Sequence, residues 1–321
     1  MVSSWINFFK ILFFDTVKAA IVIFKIMIPM TIVIRLLSIT GSLNSIAGIL
    51  EPIMRLVGLP GSSALVWCST LLTNIYGGML AYFSLATQPT LSIAQISVLS
   101  YMMLVAHTLP IELQVASKAG VRLWVMLVIR IGFAIVGGYI LFLIYSKFEI
   151  LEGASNMKFA INPARDTSWG TWAAEEFKNY VFFFVAIFFL LFLMRILKSI
   201  GAIDLLNRGL KPLIKILGIS AAVIPITVIG LTLGLLYGGA LIISEAKSGN
   251  LDKMEIFYSL LLMGLCHSLI EDSLLMMSLG AHYSAVFIFR ILFALIVTYI
   301  FVQVTRRDTA GRWKKLLTKS K

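Results

Sequence analysis

Residues 101–112 read YMMLVAHTLPIE, and residues 261–272 read LLMGLCHSLIED. Each stretch carries one of the chain's three histidines, His107 or His267, followed by acid: Glu112 in the first, Glu271 and Asp272 in the second. The offset of 160 that superposes these histidines also lays Arg35 on Arg195, Gly41 on Gly201, Pro52 on Pro212, Gly58 on Gly218, Gly120 on Gly280 and Arg130 on Arg290. The chain reads as an internal duplication. Ionisable residues at matched positions of two apolar repeats point to the architecture of secondary transporters, whose sites lie where the repeats meet.

The surroundings of these stretches are lipid-like. The 321 residues are 60% hydrophobic and 13% charged, with a mean hydropathy of +0.97, whereas soluble domains carry about 25% charged residues. Apolar runs at 18–39, 121–146, 177–199 and 284–305 reach the ~20 residues a helix needs to cross a bilayer. Period-two alternation is missing, which argues against a β-barrel. The expected fold class is therefore an all-α polytopic membrane protein.

A formal charge of +12 could suggest nucleic acid, but seven of the basic residues crowd into Arg306–Lys321. A basic tail directly after a span reads as a cytoplasmic, lipid-facing end. Cys68 and Cys266 lie in apolar sequence at non-equivalent positions and read as core thiols. The N-terminus lacks a basic n-region and a small-residue cleavage site, and Asp15 and Lys18 recur as Glu175 and Lys178. It reads as an amphipathic entry helix of the first repeat and not as a signal peptide.

Loop charge decides the orientation of the repeats. Residues 41–57 hold one basic residue, Arg55, against Arg208, Lys211 and Lys215 in 201–217. Residues 87–92 are uncharged, against Glu245, Lys247, Asp252 and Lys253 in 245–253. Gly120 is flanked by Lys118 and Arg122, whereas Leu279, Ala281, His282 and Tyr283 surround Gly280. Opposite basic content in equivalent loops is what the positive-inside rule expects of inverted repeats.

Inversion requires an odd number of spans per repeat. The segments 61–88 and 220–246, interrupted by Asn74, Tyr76, Gly77 and Gly78 and by Tyr237, Gly238 and Gly239, are then re-entrant hairpins, tolerated at membrane depth only against protein or a wet cavity. The expected order is repeat 1 over 1–150, with an interfacial helix at 43–57 and the hairpin at 61–88, then an extracytoplasmic connection at 151–172. Repeat 2 covers 173–306, with an interfacial helix at 203–217 and the hairpin at 220–246, and a basic cytoplasmic tail fills 307–321. Each repeat contributes three transmembrane helices, and both termini lie in the cytoplasm, in the manner of a bacterial inner-membrane protein.

Two groups of residues carry candidate chemistry. Thr73, Asn74, Tyr76, Gly77 and Gly78, with Tyr237, Gly238 and Gly239, put hydroxyl, amide and bare backbone at the hairpin tips, where substrate can approach. His107, Glu112, His267, Glu271 and Asp272 form the ion-binding or coupling group, since an acid facing lipid near mid-membrane costs about 2.5–3.5 kcal/mol. Pro110 marks a helix break in the first copy. A histidine paired with a carboxylate can carry a coupling proton; imidazoles and carboxylates from both repeats can instead meet as a divalent-metal site; ion pairing that holds broken helices together is the plainest reading. Arg130 and Arg290 read as charge compensation for Glu112, Asp272 or exposed carbonyls, with anion binding as the sharper alternative.

Leu50-Glu51-Pro52 through Gly58, the hairpin Leu72-Thr73-Asn74-Ile75-Tyr76-Gly77-Gly78 and the broken span after it recur as Leu210-Lys211-Pro212 through Gly218, Leu236-Tyr237-Gly238-Gly239 and the His267 segment. This pattern resembles membrane proteins carrying the Gate or nucleoside-recognition domain, the unit shared by concentrative nucleoside transporters, ferrous-iron transporter membrane domains and spore-maturation proteins. The resemblance implies a midplane substrate site made of hairpin tips and broken helices, with Thr73, Asn74, Tyr76 and Tyr237 in it.

The expected function is secondary transport of a small polar or anionic solute, nucleoside-like or an organic anion, with proton coupling through the histidines or their acids. Transport of a divalent metal ion and a partner-dependent, non-transporting membrane subunit are the alternatives. No phosphate loop, nucleophile elbow or metalloprotease helix is present, so no enzyme and no cofactor are expected. The expected partners are a small-molecule substrate and the lipid bilayer, with a second copy or a partner membrane subunit compatible with the pattern and nucleic acid excluded.

Overall fold

The apolar runs fold as helices whose ends are written in the sequence. The computed structural model describes residues 2–40, 42–84, 91–155, 168–249, 251–308 and 310–319. The first half comprises α1 (Val2–Ile39), α2 (Ser42–Leu56), α3 (Ser63–Leu72), α4 (Ile75–Ser84), α5 (Ile93–Val105), α6 (Leu109–Lys118) and α7 (Leu123–Lys147). The second comprises α8 (Trp169–Ser199), α9 (Ala202–Ile216), α10 (Ile224–Leu233), α11 (Leu235–Ser248), α12 (Lys253–Leu265), α13 (Glu271–Ser278) and α14 (Arg290–Arg306), with a π-helical turn at Ser284–Phe289 leading into α14. A short α15 (Arg312–Leu317) is the last helix among the described residues. Helices α2 and α9, and likewise α5 and α12, start and stop 160 residues apart. Ser92 and Asp252, one such matched pair, both cap the helices that follow them, accepting from Gln95 N at 3.1 Å and Met254 N at 2.7 Å.

Four stretches among the described residues are long and apolar enough to cross a membrane: Ile93–Lys118, Leu123–Lys147, Trp169–Ser199 and Ser284–Arg306. Their roles differ. Of the apolar stretch within Ile93–Lys118, 83% is buried by protein, against 17% within Trp169–Ser199. The broken helices α5–α6 and α12–α13 form the centre, while α1, α7, α8 and α14 turn Phe9, Phe13, Val128, Phe189, Leu292 and Ile296 outward. That outer surface suits lipid.

Several boundaries differ from those read in the sequence. Helix α1 runs unbroken through the expected entry helix and the 18–39 span, because its 38 residues hold only Pro29 as an interruption. Helix α8 begins at Trp169, capped by Ser168, so the last four residues of the expected 151–172 connection are helical. In that connection residues 156–167 lie outside the described residues, as do 85–88 of the first hairpin. The first hairpin turns at Thr73 and Asn74 and the second at Gly234, whose φ of +95° only glycine adopts easily. Within the tail, Lys319 N donates to Gly120 O at 2.8 Å, and Arg122 and Lys253 hold the carbonyls of Thr318 and Lys319.

The two ends of the molecule are distinct. One gathers the start of α5, Gly153 and Ser155, and the turn from Gly280 to Ser284, joined by Ile93 N to Gly153 O at 2.9 Å, His282 N to Ser97 Oγ at 2.8 Å and Tyr145 with Ser284 at 2.8 Å. The other gathers Ser117–Arg122, Asp252, Lys253 and the tail, where Lys314 pairs with Asp252 at 2.6 Å. Gly120 and Gly280, matched in sequence, thus lie at opposite ends. The tail end is basic: a cavity of about 820 Å³ there is lined by Lys118, Arg122, Lys247, Lys253, Lys314, Lys315 and Lys319.

Candidate functional site

Each central helix breaks at its histidine. In the first half, α5 stops at Val105, and Thr108 adopts a left-handed backbone with φ of +50° before α6 begins. In the second, α12 stops at Leu265, and Ser268 does the same at +47°. Pro110 is not the breaking residue. It sits inside the first turn of α6, where its missing N–H costs nothing. This explains why the second copy breaks without a proline.

The backbone freed at the breaks finds partners in the hairpins. Thr108 N donates to Thr70 O at 3.1 Å, and Leu269 N donates to Leu231 O at 3.0 Å. The arginines do the rest. Arg130 Nε donates to Val105 O at 3.0 Å, and its matched residue Arg290 donates through Nε to Leu265 O at 3.3 Å. Both carbonyls belong to the last turns of broken helices, which carry partial negative charge. Arg130 also pairs with Glu112 Oε2, and Arg290 donates to His267 O at 2.7 Å and Leu104 O at 3.4 Å.

These constraints aim the two imidazoles at each other. His107 Nδ1 lies 3.0 Å from Met103 O, and His267 Nδ1 lies 2.8 Å from Met263 O. A carbonyl only accepts, so each Nδ1 carries the proton, and each Nε2 of a neutral ring is a bare lone pair. Those Nε2 atoms are 3.0 Å apart. Glu112 Oε1 stands 3.5 Å from His107 Nε2 and 3.3 Å from His267 Nε2, and Asp272 Oδ2 stands 3.9 Å from His107 Nε2. All four side chains are buried.

The sequence left undecided whether the two clusters meet; they do. They face a cavity of about 230 Å³ lined by Asn74, Tyr76, His107, Thr108, Glu112, Gly234, His267, Ser268 and Asp272, with Ile75 and Leu235. Asn74 and Tyr76 are hairpin residues expected there. Thr73 stays out of the lining and hydrogen-bonds Ser69 O at 2.6 Å. Glu271 is half-buried at the start of α13, beside Asp272 and outside the lining. The Tyr237 side chain lies outside the described residues.

The glycine pairs serve helix contact. A Cβ on Gly78 would fall 1.8 Å from Thr70 Oγ1, on Gly77 2.1 Å from Thr73 Oγ1, on Gly238 2.4 Å from Gly230 Cα, and on Gly239 2.4 Å from Val115 Cγ1. They let α4 lie on α3, and α11 on α10 and α6, as small residues do in membranes. Arg130 and Arg290 are likewise absent from the lining, their hydrogen bonds going to carbonyls and Glu112. Thr108 and Ser268 have a larger part than the sequence suggested. Their one signal is a small hydroxyl residue directly after each matched histidine.

The arrangement resembles no solved structure found by comparison, and no family model matches the chain. It is similar to the uncharacterized membrane protein YvoD of Bacillus subtilis (strain 168), with 28% identity over 295 residues that cover 91% of this chain and 90% of the relative. With its lipid-compatible perimeter and four long apolar helical stretches, the chain is a helical integral membrane protein.

Proposed function

We propose that this protein is a secondary transporter of a small cation, built from two inverted repeats whose broken helices meet at a central site. The observation that carries this reading is the cavity at which Glu112, Asp272 and two imidazole nitrogens, contributed by both halves of the chain, face one another. Carboxylates inside a membrane protein are costly, and they mark ion pathways and proton relays. A lining with two acids and no guanidinium favours a cation over the nucleoside-like solute or organic anion expected from the sequence. Size agrees, since about 230 Å³ is smaller than the roughly 300–1,000 Å³ of pockets for drug-sized ligands.

Duplication is supported by the matched pairs Arg130–Val105 and Arg290–Leu265, and inversion by the placement of Gly120 and Gly280 at opposite ends. In this reading α1, α5–α6 and α7, then α8, α12–α13 and the π-turn with α14, are the six spans. The α3–α4 and α10–α11 pairs are re-entrant hairpins of the kind the Gate-domain resemblance implies. The basic end with the tail faces the cytoplasm of a bacterial plasma membrane. Alternating access then consists of the two halves rocking about the His107–His267 contact. When the cation leaves, the same nitrogens accept protons, which gives cation–proton exchange a direct route.

Transport currents from proteoliposomes exposed to alkali, alkaline-earth and transition-metal cations and to small ammonium ions, with nucleosides and organic anions as comparison, test the reading. A current with a cation, abolished by Asp272→Asn, is expected. A current carried by nucleosides or organic anions alone would overturn it.

A further inference from the structure

We infer that the cation is a divalent first-row transition metal, held by His107 Nε2, His267 Nε2 and Glu112 Oε1 with Asp272 as a fourth donor. The inference rests on the transport reading for its physiological role, though not for binding itself. Its starting point is the lone-pair conflict. Two neutral imidazoles, each with Nδ1 committed to a carbonyl, point bare Nε2 atoms at each other across 3.0 Å. Two lone pairs facing each other at that distance repel, and a positive centre between them removes the repulsion.

A proton satisfies two donors in a line. Here the donors form a triangle: 3.0 Å between the imidazole nitrogens, and 3.3 and 3.5 Å from them to the carboxylate oxygen. Tetrahedral metal–ligand bonds of about 2.0–2.1 Å place neighbouring donor atoms about 3.3 Å apart, so the three edges match those of one coordination sphere. All three donor atoms lie within 4.8 Å of one another. Asp272 Oδ2, at 3.9 Å from His107 Nε2, needs a small side-chain movement to close the fourth position.

The surroundings are those of a metal centre. Each histidine is fixed by a hydrogen bond from its far nitrogen to a backbone carbonyl, which sets the tautomer that presents Nε2 to a metal. Glu112 is held through its other oxygen by Arg130, leaving Oε1 directed at the histidines. Two imidazoles with carboxylate suit zinc, iron, cobalt, nickel or manganese; magnesium and calcium prefer oxygen alone. Arg130 offsets one of the two carboxylate charges, so a divalent ion leaves the occupied site with a small net charge.

The test is titration of the purified, chelator-stripped full chain with Co²⁺, reading visible absorption and counting bound metal by mass spectrometry. Wild type is expected to bind one Co²⁺ with the intense d–d bands of a low-coordinate site and to release it to excess Zn²⁺. Replacing either ligand, His107→Ala or His267→Ala, should weaken binding by at least about 100-fold, since even changes to groups behind the ligands cost 10–100-fold. No stoichiometric Co²⁺, Zn²⁺, Fe²⁺ or Mn²⁺ binding by the wild-type chain would overturn the inference. So would binding that survives both substitutions in protein that elutes and unfolds like wild type. The two readings fail separately: Co²⁺ bound but no cation carried sinks transport, and an organic or alkali cation carried without metal binding sinks the metal site.

Discussion

Glu112 and Arg130 form an ion pair wholly inside the protein, with side-chain exposures of 5% and 1%. Their relationship divides the carboxylate into two roles. Oε2 is committed to the arginine, while Oε1 faces His107 and His267. Arg130 also holds the last turn of α5 through Val105 O. One guanidinium thus fixes both the broken helix and the acid that looks into the cavity.

Removing the acid alone leaves a buried cation without its partner. Glu112→Gln is expected to lower unfolding stability by about 3–5 kcal/mol, the usual cost of breaking a buried pair from one side. The double change Glu112→Gln/Arg130→Met should recover much of that loss. Chemical unfolding of both variants in detergent checks this; a double variant less stable than Glu112→Gln would contradict it.

The glycine contacts make a sharper steric prediction. Gly238→Ala pushes a methyl against the Gly230 backbone at 2.4 Å, and backbone cannot swing aside. A loss of about 1–3 kcal/mol is expected from overpacking. Gly48→Ala in α2 meets no atom within 4 Å and should stabilise the helix by up to about 1 kcal/mol. Melting temperatures of the two variants should move in opposite directions.

Acid should release the tail. Asp252, in the turn before α12, is pushed up by burial, but hydrogen bonds from Lys314 and from the Met254 N–H outweigh this and hold it below its ordinary value. A carboxylate with a lowered pKa stabilises the fold at neutral pH and loses that contribution as pH falls through and below about 3.9. Protection of the Arg312–Leu317 amides, taken relative to the intrinsic exchange rate at each pH, should therefore fall in acid in wild type, and already at pH 7 in Asp252→Asn. Equal protection in the two proteins at pH 7 would contradict the role given to this pair.

The proposed inversion of the halves predicts opposite accessibility for matched turns. In a background with Cys68 and Cys266 replaced by alanine, Lys118→Cys should react with an impermeant thiol reagent from the cytoplasmic side only. Tyr283→Cys, exposed in the other half's turn, should react only from outside. Labelling of both from one side would exclude opposite orientation.

Much of the centre was legible in the sequence because it was written twice. The offset of 160 placed His107 and His267 on equal footing, and paired Arg130 with Arg290, before any contact was known. The meeting of the histidines was not legible, since spacing within one repeat says nothing of how two halves dock. Thr108 and Ser268 were hidden for a local reason: a left-handed backbone at a non-glycine residue is imposed by its surroundings and has no sequence signature. For Gly78 and Gly238 the sequence leaves two readings open, because a glycine that admits a ligand and one that admits a helix look alike in sequence; the close approaches of Thr70 and of the Gly230 backbone appear only in the structure.

The most direct measurement is Zn²⁺ entry into proteoliposomes, read by an entrapped fluorescent chelator, for wild type and His107→Ala/His267→Ala. Saturable entry is expected with wild type and the protein-free rate with the double variant. Equal entry through both proteins would contradict the claim that the cation passes through the site where His107 and His267 meet.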